Sequence, residues 1–188
     1  MGVAVCDSPA GPFEDSGKPI EGLNNIDPKV FIVDDGTAYL YNNPGIVAQL
    51  KPNMVELAES PKKIIYGPEA VMEDRVLKFN EGAFMHKRDG IYYFSFTNWK
   101  NKEFQGFYAT GSNPYGPFEW QGPLSPKPRG AQNHHSIIEF KNQWYYFFHV
   151  AGYKDYPKYK EAQGRIFCFE PLEYEADGTI RMVEHSVP

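Results

Sequence analysis

The sequence predicts an all-β fold, and three observations carry the prediction. Aromatic residues are abundant: 13 Tyr, 14 Phe and 3 Trp make up 16% of the 188 residues, and aromatic and β-branched side chains favour strands. Short apolar runs alternate with Gly, Pro, Asn and Asp along the whole chain. No long stretch keeps clear helical periodicity.

The elements follow in order. The chain opens on "MGVAV", which reads as a strand, and passes through the connector "DSPAGPFED". "KVFIVDDGTAYLY" then reads as strand, tight turn, strand, with the turn at "DDG". "IVAQLKPNMVEL" (46–57) has an apolar face, but Pro52 interrupts it, so it predicts strand, turn and strand. "GAFMHKRDGIYYFSFTNW" and "HSIIEFKNQWYYFFHV" are two further hairpins, turning at "RDG" and "KNQ". The Lys-rich "YKDYPKYKEAQ" (153–163) reads as an exposed loop.

The hairpins recur at a fixed distance. Asp27, Glu81 and His134 each stand just ahead of an apolar run, 54 and 53 residues apart. A second marker shares the period: "DSPAGPFED" and "SNPYGPFEW" place Pro9 and Pro114 two periods apart, with Ser60-Pro61 midway. Repeats of about 40 to 50 residues holding some four strands each are the mark of β-propeller blades. The prediction is a single partial β-propeller domain over residues 1–188, with repeats beginning near 27, 81 and 134. In a propeller the first strands of the blades line a central channel. Three ionisable side chains at equivalent starts would face one another across one pocket.

Bulk properties exclude several functions. A net charge of −5 and a pI near 5.5 lack the basic footprint of a nucleic-acid or anionic-membrane surface. No apolar stretch approaches the roughly 20 residues needed to span a bilayer. Cys6 and Cys168 carry no metal-ligand spacing; they form either one bridge or two free thiols.

The order "IDPKVFIVDDGTAYLY", "EGAFMHKRDGIYYFSFTNW", "NHHSIIEFKNQWYYFFH" and "GRIFCFEPLEYEADGTIRMVEH" resembles glycoside hydrolase family 43, and the likeness covers nearly the whole chain. The resemblance implies a five-bladed propeller with a central pocket. It implies α-L-arabinofuranosidase, β-xylosidase or arabinanase activity on plant glycans, by an inverting mechanism and with no required cofactor. On this likeness Glu81 in "EGAF" matches the general acid. Asp27 in "IDP" matches the second carboxylate, which tunes the acid's pKa and holds its orientation, since a nearby anion disfavours a second negative charge. His134 in "NHHSI" matches the channel histidine that lies beside a cation, such as calcium, or an ordered water. His135 points the other way, because strand neighbours face opposite sides. Arg165 resembles an arginine that reaches the sugar, and Trp99 is a candidate sugar-subsite wall. The family commonly works outside the cytoplasm, which implies a secreted or periplasmic setting.

The pattern also breaks. An inverting glycosidase needs a carboxylate base roughly 6.5–9.5 Å from the acid. In the family that aspartate lies one period before "IDP", ahead of residue 1. Five blades of this size need about 265 residues, and the chain has 188, enough for three to four. The expectation is an incomplete domain lacking its first blade, with self-association or complementation by the missing blade across the open face. The alternative is a non-catalytic carbohydrate-binding or structural fragment. An interaction propeller of the kelch kind is disfavoured, because its paired glycines are absent.

Overall fold

The computed structural model describes residues 1–43, 45–65, 70–72, 75–77, 81–100, 103–126, 134–151 and 165–184; for 70–72, 75–77, 99, 100, 103 and 151 it describes the backbone alone. No helix occurs among the described residues. Among the described residues fifteen strands run in order: β1 (Gly2–Val5), β2 (Glu14–Pro19), β3 (Lys29–Ile32), β4 (Ala38–Asn42), β5 (Ile46–Leu50), β6 (Lys62–Lys63), β7 (Ala70–Met72), β8 (Arg75–Leu77), β9 (Glu81–Arg88), β10 (Ile91–Lys100), β11 (Glu103–Gly111), β12 (Glu119–Pro123), β13 (Ser136–Phe140), β14 (Gln143–Ala151) and β15 (Arg165–Leu172). The 153–163 loop lies outside the described residues.

The strands assemble antiparallel, each beside its neighbour in sequence. β3–β6 form a first sheet, β9–β12 a second and β13–β15 a third, with β1–β2 and β7–β8 as separate hairpins. β9 lies against β3 and β4 on one side and against β13 on the other. The first strands of the three sheets therefore stand side by side, as the innermost strands of propeller blades do.

Turn chemistry sets the registers. β9–β10 closes on Asp89-Gly90 and β13–β14 on Lys141-Asn142, all four with positive φ, which is the two-residue geometry matched to strand twist. The "DDG" turn is held by the Asp35 carboxylate, which accepts from the Thr37 N–H at 2.8 Å. In the 46–57 segment β5 forms as expected, but the second strand shrinks to a single bridge between Leu50 and Leu57. Lys51 to Met54 turn first, with Met54 at φ 62°. Cys6 and Cys168 are both free thiols.

Apolar side chains fill the gaps between sheets. Tyr41, Val47, Phe94, Phe96 and Phe107 pack the first sheet on the second. Phe84, Tyr93, Ile137, Tyr146 and Phe148 pack the second on the third. Met1 and Val3 of the N-terminal hairpin lean on Leu40, Ala48 and Leu50, on the other face of the first sheet. Residues 173–183 return across this stack: the Tyr93 hydroxyl donates to the Gly178 carbonyl at 2.7 Å, and the Val183 N–H donates to the Leu124 carbonyl at 3.0 Å.

The repeated "GPF" connector ties sheets together. The Ile65 carbonyl accepts from the Phe118 N–H at 2.9 Å, and the Ile65 N–H donates to the Tyr115 carbonyl at 3.2 Å. This places the Ile65 backbone directly over Gly116, whose φ is +85°. A Cβ there would overlap the Ile65 carbonyl oxygen and approach Phe118 to 2.8 Å. Gly116→Ala is therefore expected to destabilise the chain by about 3 kcal/mol, combining left-handed strain with overpacking. Urea denaturation of both proteins measures the difference.

His86 is buried between β10 and the returning segment. It stacks on Tyr93 with ring centroids 4.8 Å apart and shares a 2.7 Å hydrogen bond with the Tyr174 hydroxyl. Burial, reinforced by nearby His135, pushes its pKa down from 6.5 to about 3. The unfolded chain binds this proton near pH 6.5 and the folded chain near pH 3, so the contribution is complete above 6.5 and is lost as pH falls towards 3. The slope is about 1.4 kcal/mol per pH unit. Chemical denaturation at pH 7, 6, 5 and 4 is expected to show His86→Gln with a pH dependence shallower by about one proton.

Candidate active site

Asp27, Glu81 and His134 meet at one point. One ligating atom from each lies within 4.8 Å of the other two, and all three residues are half-buried. They come from three sheets: Asp27 from the link into β3, Glu81 from the first position of β9, and His134 from two residues before β13. The described residues bring no other His, Cys, Asp or Glu into this group.

Each is aimed by a local device. Asp27 has φ 59° and Asn25 φ 85°, a left-handed path that Asn and Asp tolerate best. The end of β4 pins this path: the Asn42 amide donates to the Asn24 carbonyl at 2.8 Å, and the Asn43 N–H donates to the Ile26 carbonyl at 3.2 Å. Glu81 is turned by a bulge. The β9–β10 register slips between Ser95, opposite Phe84, and Thr97, opposite Glu81. Gly82 sits in the slip at φ +67°, and a bulge of this kind re-aims the neighbouring side chain. His134 is fixed by its neighbour. His135 turns inward, is buried, and shares a 2.7 Å hydrogen bond with the Ser95 hydroxyl. Burial, with His134 and Lys29 nearby, pushes the His135 pKa down to about 3, so it is a neutral strut.

The electrostatics are unusual for a structural cluster. Asp27 Oδ2 and Glu81 Oε1 are buried, with no hydrogen-bond partner among the described residues. His134 Nε2 lies 3.9 Å from Glu81 Oε1, too far for a hydrogen bond. Buried carboxylate oxygens left without donors cost stability, and such costs concentrate where a ligand or reaction completes the set. As a cation site the group is partial. Calcium takes six to eight oxygens, and two carboxylates with one imidazole supply only part of that shell, leaving water to supply the rest.

Arg165 opens β15 opposite Ala151 and is exposed. Trp99 pairs with Phe104 on the β10 backbone, and its side chain lies outside the described residues. Sequence reasoning passed over His149, whose ring centre lies 6.5 Å from that of His134. Both line a hollow of about 190 Å³ with Phe147, Phe148 and Phe167. Counting seven residues from Gly36, Gly90 and Asn142 reaches Asn43, Thr97 and His149; that shared count is the signal that marks the position.

Comparison with known proteins shows the family. The family described as glycosyl hydrolases family 43 matches residues 1–180, and the chain belongs to it. A xylosidase/arabinosidase from Bacteroides ovatus is 34% identical over 98% of this chain and 65% of its own length. A beta-xylosidase from Xylanibacter ruminicola is 33% identical over 98% and 66%. Among solved structures, a beta-xylosidase/alpha-arabinofuranosidase from a compost microbial metagenome, in complex with xylotriose and in calcium-free form, superposes with a TM-score of 0.85 at 32% identity. It covers all of this chain and 66% of that one. A Xanthomonas citri enzyme of the family, complexed with xylotriose, gives 0.84 at 32% identity over 97% and 63%. The chain thus spans a little under two thirds of these relatives, and its sheets form an incomplete propeller of the family's type.

The bulge is the local feature on which Glu81 depends. A Cβ on Gly82 would meet Thr97 Oγ1 at 3.4 Å and the His134 ring at 3.5 Å. These are ordinary contacts, so the cost comes from the left-handed backbone. Gly82→Ala is expected to destabilise the chain by about 1–2 kcal/mol, whereas Gly106→Ala, in ordinary strand geometry, would owe its cost to crowding alone. Thermal unfolding read by circular dichroism measures both.

Proposed function

We propose that this chain carries the acid half of an inverting glycosidase site acting on xylose- or arabinose-containing oligosaccharides. Glu81 is the general acid that protonates the leaving glycosidic oxygen. Asp27 holds its orientation and, as a neighbouring anion, tunes its proton affinity. The observation that carries the reading is the convergence of both carboxylates, within 4.8 Å, beside His134 in a member of this family. Inverting pairs stand roughly 6.5–9.5 Å apart so that a water fits between base and sugar. Asp27 is too near Glu81 for that task, which supports a modulating role.

The base that activates water is supplied, in this reading, from outside the 188 residues. His134 contacts the sugar or orders a water beside it, and Arg165 and Trp99 contribute to substrate binding. A cation in the channel would be held by the Asp27 carboxylate and, through water, by His134, leaving Glu81 free to carry its proton. It would supply a fixed positive charge. Sugar is the ligand class because relatives are named for xylose and arabinose substrates and one neighbour holds xylotriose. The resemblance to a family that commonly works outside the cytoplasm supports a secreted or periplasmic setting.

Two measurements test this. Calorimetry with xylotriose and arabino-oligosaccharides is expected to show binding that His134→Ala weakens by about tenfold, the loss of one good polar contact. Nitrophenyl arabinofuranoside and xyloside are expected to show little or no turnover. Absence of any sugar binding would refute the assignment. Robust turnover abolished by Glu81→Gln would keep the acid and refute the external base; retained anomeric configuration in the product would then assign Asp27 as a nucleophile.

A further inference from the structure

A second hollow lies at the opposite end of the inner strands. It has a volume of about 610 Å³, within the roughly 300–1,000 Å³ of small-molecule sites. Three segments wall it: the β9–β10 turn at Arg88 and Asp89, the β13–β14 hairpin from Glu139 to Trp144, and the chain leaving β15 at Glu173 and Tyr174. Glu81 opens β9 and Arg88 closes it, so the hollow stands roughly 20 Å down the strand from the carboxylate pair. It sits on the seam where the second and third sheets are packed on each other, and all three walls belong to this chain.

Most formal charges around it are already matched. Lys87 pairs with Asp34, Arg88 with Asp89, and Glu173 with Arg181. The Arg88 guanidinium also stacks over the Tyr174 ring at 4.4 Å. The uncommitted groups are of another kind. The side chains of Glu139, Asn142 and Trp144 make no hydrogen bond or ion pair among the described residues. The Gln143 side-chain amide donates to the Trp144 and Leu172 carbonyls, which fixes its own oxygen as an acceptor. A carboxylate, two amides and an indole N–H are thus gathered around one aromatic wall.

That wall is rigid. The Trp144 ring is held from behind, with its centroid 5.7 Å from that of Tyr174 and 5.2 Å from that of His86. A half-buried indole offers apolar area at little cost in side-chain entropy. An inorganic anion would find the cations engaged, and an apolar ligand would leave the free acceptors desolvated and unpaired. A polyhydroxylated ring satisfies both halves: its C–H face lies on the indole, and its hydroxyls, each donor and acceptor, meet the carboxylate and amides. We propose that this hollow is a second sugar-binding site, taking a short neutral oligosaccharide. The kind of sugar, xylose- or arabinose-based, rests on the function proposed for the Glu81 site; the hollow itself rests on its own geometry. It grips glycan away from the reacting bond and takes no part in the chemistry.

Titration of the isotope-labelled 188-residue chain with xylotriose, read by backbone amide chemical shifts, tests this. Two groups of amides are expected to move with independent saturation curves, one around Asp27, Glu81 and His134 and one at 139–144. Glu139→Ala/Asn142→Gly is expected to weaken the second group about tenfold and leave the first unchanged. Both residues are exposed, and glycine keeps the positive φ of Asn142, so the fold holds. Trp144→Phe, which keeps a ring, should weaken the second group independently. His134→Ala should do the reverse, so failure at one site is read apart from failure at the other: movement at 139–144 with none around Glu81 would support this site and count against the Glu81 reading. No movement at 139–144, or movement that survives all three substitutions, would overturn the proposal. Sulfate moving these amides where xylotriose does not would also overturn it and make the hollow an anion site.

Discussion

A β-sheet with two apolar faces can bury the second only by finding another sheet. In this chain that requirement organises everything else. The second sheet is the centre: one face closes on the first sheet through Phe94, Phe96 and Phe107, and the other closes on the third through Tyr93 and Tyr108. Face-to-face stacking of twisted sheets splays their outer strands and gathers their first strands. The contacts of β9 with β3, β4 and β13 are the result, and the site exists because those strand starts are gathered.

The site is built against the grain of the local structure. Two carboxylate oxygens are buried without donors, Asp27 runs left-handed into a proline, and Gly82 breaks the β9–β10 register. Each such feature costs of order 1–3 kcal/mol. The surrounding framework offsets the cost: Asn42 and Asn43 pin the 24–27 path, and the buried His135–Ser95 pair anchors the segment before β13 that presents His134. Strained and unsatisfied groups held by a well-packed frame are the physical signature of a functional site.

The two adjacent histidines show how closely role depends on packing. His134 and His135 are the same residue type, one position apart. His135 is enclosed between sheets and held neutral; His134 is partly open to the carboxylates. Their difference is set by the segment leading into β13, in which one ring turns inward to Ser95 and the other towards Glu81. Aromatic residues divide in the same way. Tyr146 and Phe148 are core, while Tyr145 and Phe147 lie on the other face of the sheet.

The sequence by itself determined the strand-and-turn order, the 53–54-residue spacing and, through that spacing, which three side chains stand at equivalent strand starts. These are local or periodic quantities: turn residues dictate φ, alternation dictates faces, and repetition needs no contact to be visible. Only the tertiary structure decided the rest. The left-handed Asp27, the bulge at Gly82, the His135–Ser95 strut and the nearness of His149 to His134 all depend on residues far apart in the chain meeting at a particular register. The reduction of 55–57 to a single bridge at Leu57 is likewise settled by which segments find partners. Side-chain type says that a face is apolar. Whether anything lies against it is a property of the assembled sheets.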